Sequence, residues 1–153
     1  MESAIILIAK IAIASSMAVL YATLGEIFTE RSGVLNLGVE GMMLIGALSA
    51  FAATQSLQSL WLGTLIAMLM SGIFAMIHGI FTITLRVNQV VSGLALTLFG
   101  IGLTNFLGRP FIGKLSLKFE PFDLFPLNKI PIVGEIFFTQ SALVYPAYLL
   151  VPV

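Results

Sequence analysis

Long runs of apolar residues, separated by short polar segments, extend along almost the whole chain. A helix that crosses a bilayer needs about 20 mostly apolar residues, so runs of this length predict spanning helices. Four full spans are expected, at residues 4–24, 34–54, 60–80 and 90–107. A fifth run begins near residue 134 and is still apolar at Val153, so a fifth helix is expected that either ends there or is cut off by the end of the sequence.

The same pattern favours an all-α fold. Transmembrane β-strands show about ten residues of alternating polarity, and the sequence has no such alternation. We therefore expect a polytopic transmembrane helix bundle, with residues 1–153 forming one transmembrane domain.

Composition agrees with a membrane protein and excludes several kinds of chemistry. Of the 153 residues, 59% are hydrophobic and 9% are charged, whereas soluble domains carry about 25% charged residues. The formal net charge is zero, so no basic surface points to nucleic acid. The sequence has no cysteine and one histidine, which argues against disulfides, thiol catalysis and a metal centre. We expect no catalytic residues, no metal and no cofactor.

Polar residues interrupt the second apolar run. Asn36 and Glu40 are four residues apart, so they share a face if the segment is helical. Glycines at positions 33, 38 and 41 weaken a helix by about 1 kcal/mol each relative to alanine. Irregular backbone at membrane depth is tolerated only where protein covers it or where it lines a cavity. These features predict a broken or re-entrant segment near residues 30–41.

Two interpretations of these polar residues remain open. Asn36 and Glu40 would line or brace a path for a polar ligand, as broken helices do in transporters. Alternatively, Glu40 lies near the membrane surface and pairs with Arg31 or Lys10, and the glycines serve packing alone.

A second polar group leads into the fourth span. It consists of Asn88, Gln89, Ser92 and Thr97, and the first three are further candidates for the substrate path. Hydrogen bonding between helices is the alternative role. His78, on an otherwise apolar span, is predicted to form a hydrogen bond between helices or to lie at the membrane interface, rather than to act as a base.

Small residues recur where helices are expected to pack. Close backbone approach at small side chains drives helix association in lipid. The candidate packing residues are Gly38, Gly41, Ser71, Ala75, Gly79, Gly100 and Gly108.

Two long stretches of the chain closely resemble one transporter family. They are "ATLGEIFTERSGVLNLGVEGMMLIGALSAF" (residues 22–51) and "TLRVNQVVSGLALTLFGIGLTNFLGRPFIG" (residues 84–113). The sequence resembles ABC-transporter permeases of the branched-chain amino acid, simple sugar and nucleoside class, and within it the nucleoside and simple-sugar branch. The resemblance implies a passive permease subunit that carries a small-molecule substrate across the cytoplasmic (plasma) membrane of a bacterium. Residues 1–153 would then be a single transmembrane permease domain that is incomplete at its C-terminus. Its partners would be a second permease subunit, ABC ATPase subunits and an external substrate-binding protein or lipoprotein.

The resemblance also has consequences for orientation and completeness. It places residues 81–89 inside the cell and residues 108–133 outside, whereas a count of lysines and arginines alone favours the reverse. Permeases of this family are roughly twice as long, and their ATPase-coupling segment would lie beyond Val153. The resemblance therefore covers an N-terminal half. Branched-chain amino acid transport and a truncated membrane scaffold that does not transport remain alternatives.

Overall fold

Helices make up most of the chain in the computed structural model, which describes residues 2–123, 125, 127, 130 and 133–150. Four of them are long: α1 (Glu2–Arg31), α2 (Val39–Leu57), α3 (Leu60–Gly79) and α4 (Gln89–Leu107). The predicted all-α fold class is confirmed. Within the described residues, three helical segments are long and apolar enough to cross a membrane, namely Ala4–Arg31, Leu60–Thr84 and Gln89–Leu107.

The chain is interrupted between α1 and α2, inside the range where the sequence predicts a break. α1 continues past the expected end at residue 24 and stops at Arg31. Gly33 then adopts a left-handed conformation with φ of +82°, which costs a glycine little. Its N–H donates to the carbonyl of Glu30 at 2.9 Å and so satisfies one of the last orphan carbonyls of α1.

α3 ends in an irregular turn before α4 begins. Residues Ile80–Thr84 form a π-helical turn, in which the Thr82 hydroxyl donates to the carbonyl of His78 at 2.8 Å. The side-chain oxygen of Asn88 then accepts from the N–H groups of Val90 and Val91 at 3.0 and 3.2 Å. Asn88 is thus the N-cap of α4, a position that favours asparagine because its side chain satisfies orphan donors.

The described chain divides into two compact units, and the larger one is Gly25–Lys118. In this unit α2 packs against α3 along its length and against α4. Its small apolar core contains Met42 and Ile45 from α2 and Phe74 from α3. α2 thus packs against two helices of the unit. The full span expected at residues 34–54 is not found: residues 34–38 are not helical, and α2 is less apolar than the three segments that could cross a membrane.

The other unit contains residues Met1–Leu24 and Phe119–Val153. Its short elements are β1 (Pro121–Asp123), α5 (Val133–Phe137), β2 (Thr139–Ser141) and α6 (Tyr145–Leu150). β1 and β2 pair antiparallel, with Phe122 opposite Gln140. The hydroxyl of Tyr21 on α1 donates to the carbonyl of Leu143 at 2.8 Å.

The expected continuous fifth helix is wrong over residues 133–150. Two short helices with a strand between them take its place. Pro146 lies in the first turn of α6, where its missing N–H is harmless, whereas inside a longer helix it would remove a hydrogen bond. The side chain of Gln140 in β2 donates a hydrogen bond to the carbonyl of Ile136 in α5 at 2.8 Å.

Candidate functional site

The break between α1 and α2 is the candidate site, because its backbone lacks the internal hydrogen bonds of a helix. Residues 32–38 have no regular structure. Each buried N–H and C=O in such a segment needs a partner, and lipid offers none. The side chains that supply these partners come from three different helices.

α1 contributes Glu26. Its Oε1 accepts a hydrogen bond from the backbone N–H of Asn36 at 3.0 Å, while its Oε2 is buried without a partner. The side chain of Asn36 is 8% exposed and turns back on its own segment, so that Oδ1 accepts from the N–H of Gly38 at 3.1 Å. This local bond is an Asx turn, which fixes the path of the chain into α2.

α4 contributes Gln89 and Thr97. The Gln89 side chain bonds the break twice: Oε1 accepts from the N–H of Leu35 at 2.7 Å, and Nε2 donates to the carbonyl of Gly33 at 3.2 Å. The Thr97 hydroxyl donates to the carbonyl of Leu37 at 2.9 Å. An amide that both donates and accepts suits a backbone segment that offers one group of each kind.

α3 contributes His78, whose side chain is 3% exposed. Its Nε2 lies 3.3 Å from the carbonyl oxygen of Leu35, and its Nδ1 lies 3.2 Å from Oγ of Ser92 on α4. A carbonyl only accepts, so we assign the ring hydrogen to Nε2. In the neutral ring Nδ1 then accepts, and the Ser92 hydroxyl donates to it. The predicted interhelical hydrogen bond of His78 is confirmed.

The five predicted path residues divide into three groups in the structure. Asn36, Gln89 and Ser92 meet at the break, the last through His78. Asn88 lies at the N-terminus of α4, where it caps the helix. Glu40 lies in the first turn of α2 with its side chain exposed, a position where a carboxylate favours the helix dipole.

Sequence reasoning missed the role of Glu26 and left that of Thr97 open. Glu26 lies ten residues before the amide that it binds, among other charges near the end of α1. Thr97 and Leu37 are 60 residues apart. The available signal was a polar side chain on each helix that surrounds a glycine-rich break.

The candidate packing residues also differ in their surroundings. A Cβ added to Gly100 would lie 2.7 Å from Cα of Gly41, so the backbones of α2 and α4 touch there. A Cβ on Gly38 would lie 3.0 Å from Cδ2 of Leu96. The Ser71 hydroxyl donates to the carbonyl of Met42 at 3.0 Å.

The remaining packing candidates have fewer neighbours. Ala75 is exposed, and a Cβ on Gly79 would meet nothing within 4 Å. Gly108 ends α4, where its N–H donates to the carbonyl of Thr104 at 2.8 Å.

The side chains around the break hold its backbone in place through hydrogen bonds. Among the described residues, no group of three or more His, Cys, Asp or Glu side chains is placed to hold a metal ion. The polar groups around the break are used in hydrogen bonds to backbone atoms.

Comparison with known proteins gives one family. Residues 7–148 match the family described as "Branched-chain amino acid transport system / permease component". No solved structure matches the chain.

Three curated relatives are similar to this chain. A protein of Haloferax volcanii assigned as a glucose ABC transporter permease is 45% identical over 139 residues, which cover 88% of this chain and 42% of the relative. A guanosine ABC transporter permease of Bacillus subtilis is 35% identical over 128 residues, which cover 76% of this chain and 40% of the relative. A nucleoside ABC transporter permease of Lactococcus lactis is 32% identical over 148 residues, which cover 90% of this chain and 46% of the relative. The chain thus spans less than half the length of these relatives.

Proposed function

The chain belongs to the family of branched-chain amino acid transport system permease components, and from that membership we propose that it forms part of the translocation path of an ABC importer for nucleosides or simple sugars. Its family and its three long apolar helices identify it as a multi-pass protein of the plasma membrane. The three relatives carry glucose, guanosine and nucleoside in their names, which supports this pair of substrate classes over branched-chain amino acids.

The observation that carries the proposal is the hydrogen bonding of the Leu35 backbone in the break. Its N–H is bonded by Gln89 from α4 and its carbonyl by His78 from α3. Three helices thus converge on one interrupted segment, since Glu26 of α1 binds the next residue. Transporters place interrupted helices of this kind at their substrate sites.

In this proposal, the polar residues near the break either brace it or face the ligand. Asn36, Gln89 and Ser92 brace it through the contacts described above. Asn88 fixes the start of α4, so it sets the position of Gln89. Glu40, with its exposed carboxylate on the first turn of α2, provides an acceptor for the hydroxyls of a sugar or ribose.

The proposed subunit is passive and hydrolyses no ATP. Energy would come from ABC ATPase subunits, and the substrate from an external binding protein or lipoprotein. A second permease subunit would complete the path. The chain would contribute a single transmembrane domain to this assembly and would need no cofactor.

Uptake by cells tests the proposal directly. We expect deletion of the gene to reduce ATP-dependent uptake of labelled guanosine or glucose, and complementation to restore it. Leucine uptake should be unaffected. An effect on leucine alone would favour a branched-chain amino acid permease instead.

Co-purification separates transport from a structural role. The proposal predicts that the tagged protein brings an ABC ATPase out of solubilised membranes. Homo-oligomers without an ATPase, together with unchanged uptake of all three solutes, would favour a membrane scaffold.

A further inference from the structure

A cavity between α3 and α4 has a composition suited to a flat ligand. Its volume is about 570 Å³, within the range of roughly 300–1,000 Å³ typical of small-molecule sites. Phe74, Phe81 and Phe99 contribute aromatic rings to its wall. The rings of Phe74 and Phe99 are stacked, with centroids 6.0 Å apart and planes inclined by 25°. The exposed face of Phe99 is therefore open to a further ring.

The polar character of the cavity comes from Ser92. Among the described residues that line it, Ser92 alone has a polar side chain. Its hydroxyl hydrogen is directed to Nδ1 of His78, since Nε2 of the same ring donates to the carbonyl of Leu35. The lone pairs of Ser92 Oγ are therefore available to accept a hydrogen bond from a ligand.

These features select among the substrates of the proposed function. A simple sugar carries several hydroxyls, and each one buried without a partner costs free energy. A purine base is flat, stacks on aromatic rings, and carries N–H donors at its edge. One acceptor on an aromatic wall matches the base far better than the sugar.

We propose that the α3–α4 cavity is a subsite for the purine base of a nucleoside, with Ser92 Oγ accepting a hydrogen bond from the exocyclic amine. This inference rests on the proposed transport function and narrows its substrate class. A base bound in this cavity would be linked to the break between α1 and α2 through His78, because Ser92 and Leu35 both bond its imidazole ring.

The lack of cysteine in the chain allows a single-cysteine test in the assembled transporter. Ala95→Cys places a thiol in the cavity wall. Leu94→Cys, the neighbouring position on α4, is exposed and outside the cavity, and serves as the matched control. The measured quantity is the rate of thiol modification by N-ethylmaleimide in membranes.

We expect adenosine to slow modification of Ala95→Cys several-fold and glucose to leave it unchanged. Purine riboside, which lacks the exocyclic amine, should protect less than adenosine. Leu94→Cys should react at the same rate with each ligand. Adding Ser92→Ala to Ala95→Cys should remove most of the protection by adenosine, and Ser92→Thr, which keeps the hydroxyl, should retain it.

Several results would overturn the subsite. These are equal protection by glucose, no protection by adenosine, and a thiol that is blocked with and without ligand because another helix fills the cavity. If adenosine uptake still depends on the chain in any of these cases, the subsite fails and the transport function stands. If wild-type uptake of both nucleosides and sugars is independent of the chain, the transport function itself fails.

Discussion

The two faces of α2 are packed in different ways. Towards α4, backbone meets backbone: a Cβ on Gly41 would lie 2.7 Å from the carbonyl oxygen of Leu96. Towards α3, side-chain hydroxyls fill the space beside the glycines. A Cβ on Gly46 would collide with Oγ of Ser71, and one on Gly63 with Oγ1 of Thr54.

The difference shows which contact can adjust. A hydroxyl can rotate away from an added methyl group, whereas two helix backbones can only separate. The contact between α2 and α4 is therefore the less adaptable one. It also adjoins the break, because Gln89 and Thr97 of α4 bond the residues that lead into α2.

The largest effect is expected where the backbones touch. Gly100→Ala places a methyl group 2.7 Å from Cα and 2.8 Å from the carbonyl oxygen of Gly41. Overpacking of this kind lowers stability by about 1–3 kcal/mol. Unfolding in detergent micelles measures the loss. The control is Gly102→Ala on the same helix, where an added Cβ meets nothing within 4 Å. Equal stability of the two variants would contradict the close contact.

The next effect is expected at His78, which links α3 and α4 to the break. His78→Leu leaves the carbonyl of Leu35 and the hydroxyl of Ser92 without their partner. A fully buried unsatisfied group costs about 1–3 kcal/mol; these two groups are partly buried, so the loss should be at the low end and should appear as local opening. Hydrogen–deuterium exchange should become faster at residues 33–37.

A matched variant distinguishes this effect from general destabilisation. Ser56→Ala removes an exposed hydroxyl of α2 that bonds only the carbonyl of Ala52 in its own helix. Exchange at residues 33–37 should then stay at the wild-type rate. The same acceleration in both variants, or none in His78→Leu, would show that His78 does not hold the break.

A smaller effect is expected on the α3 face. Gly46→Ala displaces the Ser71 hydroxyl and breaks its hydrogen bond to the carbonyl of Met42, a loss of about 0.5–1.5 kcal/mol. Adding Ser71→Ala removes the colliding oxygen, and the nearest remaining atoms are then 3.7 Å or more away. The double variant should therefore be less destabilised than the sum of the two single variants. Simple additivity in a double-mutant cycle would mean that the two residues do not share this space.

The smallest effect should have the opposite sign. A Cβ on Gly72 of α3 meets nothing within 4 Å. Because alanine favours a helix over glycine by up to about 1 kcal/mol, Gly72→Ala should leave stability unchanged or raise it slightly. A clear loss in the unfolding experiment would reveal a neighbour of α3 in the assembled protein.

Hydropathy predicted the helices well and their partners poorly. The spans at 60–80 and 90–107 agree with α3 and α4, and the glycines with Asn36 correctly located the break. The bonds from α3 and α4 that satisfy the break join residues 43 to 60 positions apart, such as Leu35 with Gln89, and periodicity holds no information on such pairs.

The error in the fifth span has a similar cause. Apolar composition over residues 134–153 suggested one helix, and hydropathy does not register that Ser141 pairs with Pro121 in a short sheet. Glu26 was overlooked because a charge near a helix end is usually solvated. Its role depends on where the chain goes after the turn, which only the fold reveals.

Uptake by a variant of the complete transporter that carries Asn36→Ala and Glu40→Gln tests most directly whether the polar residues at the break serve transport. The first change removes the acceptor for the N–H of Gly38, and the second removes the charge at the start of α2. Uptake of labelled nucleoside and glucose is compared with the wild type at equal abundance in the membrane. We expect uptake of the transported substrate to fall sharply. Normal uptake with both changes would contradict the claim that the polar residues at the break serve transport.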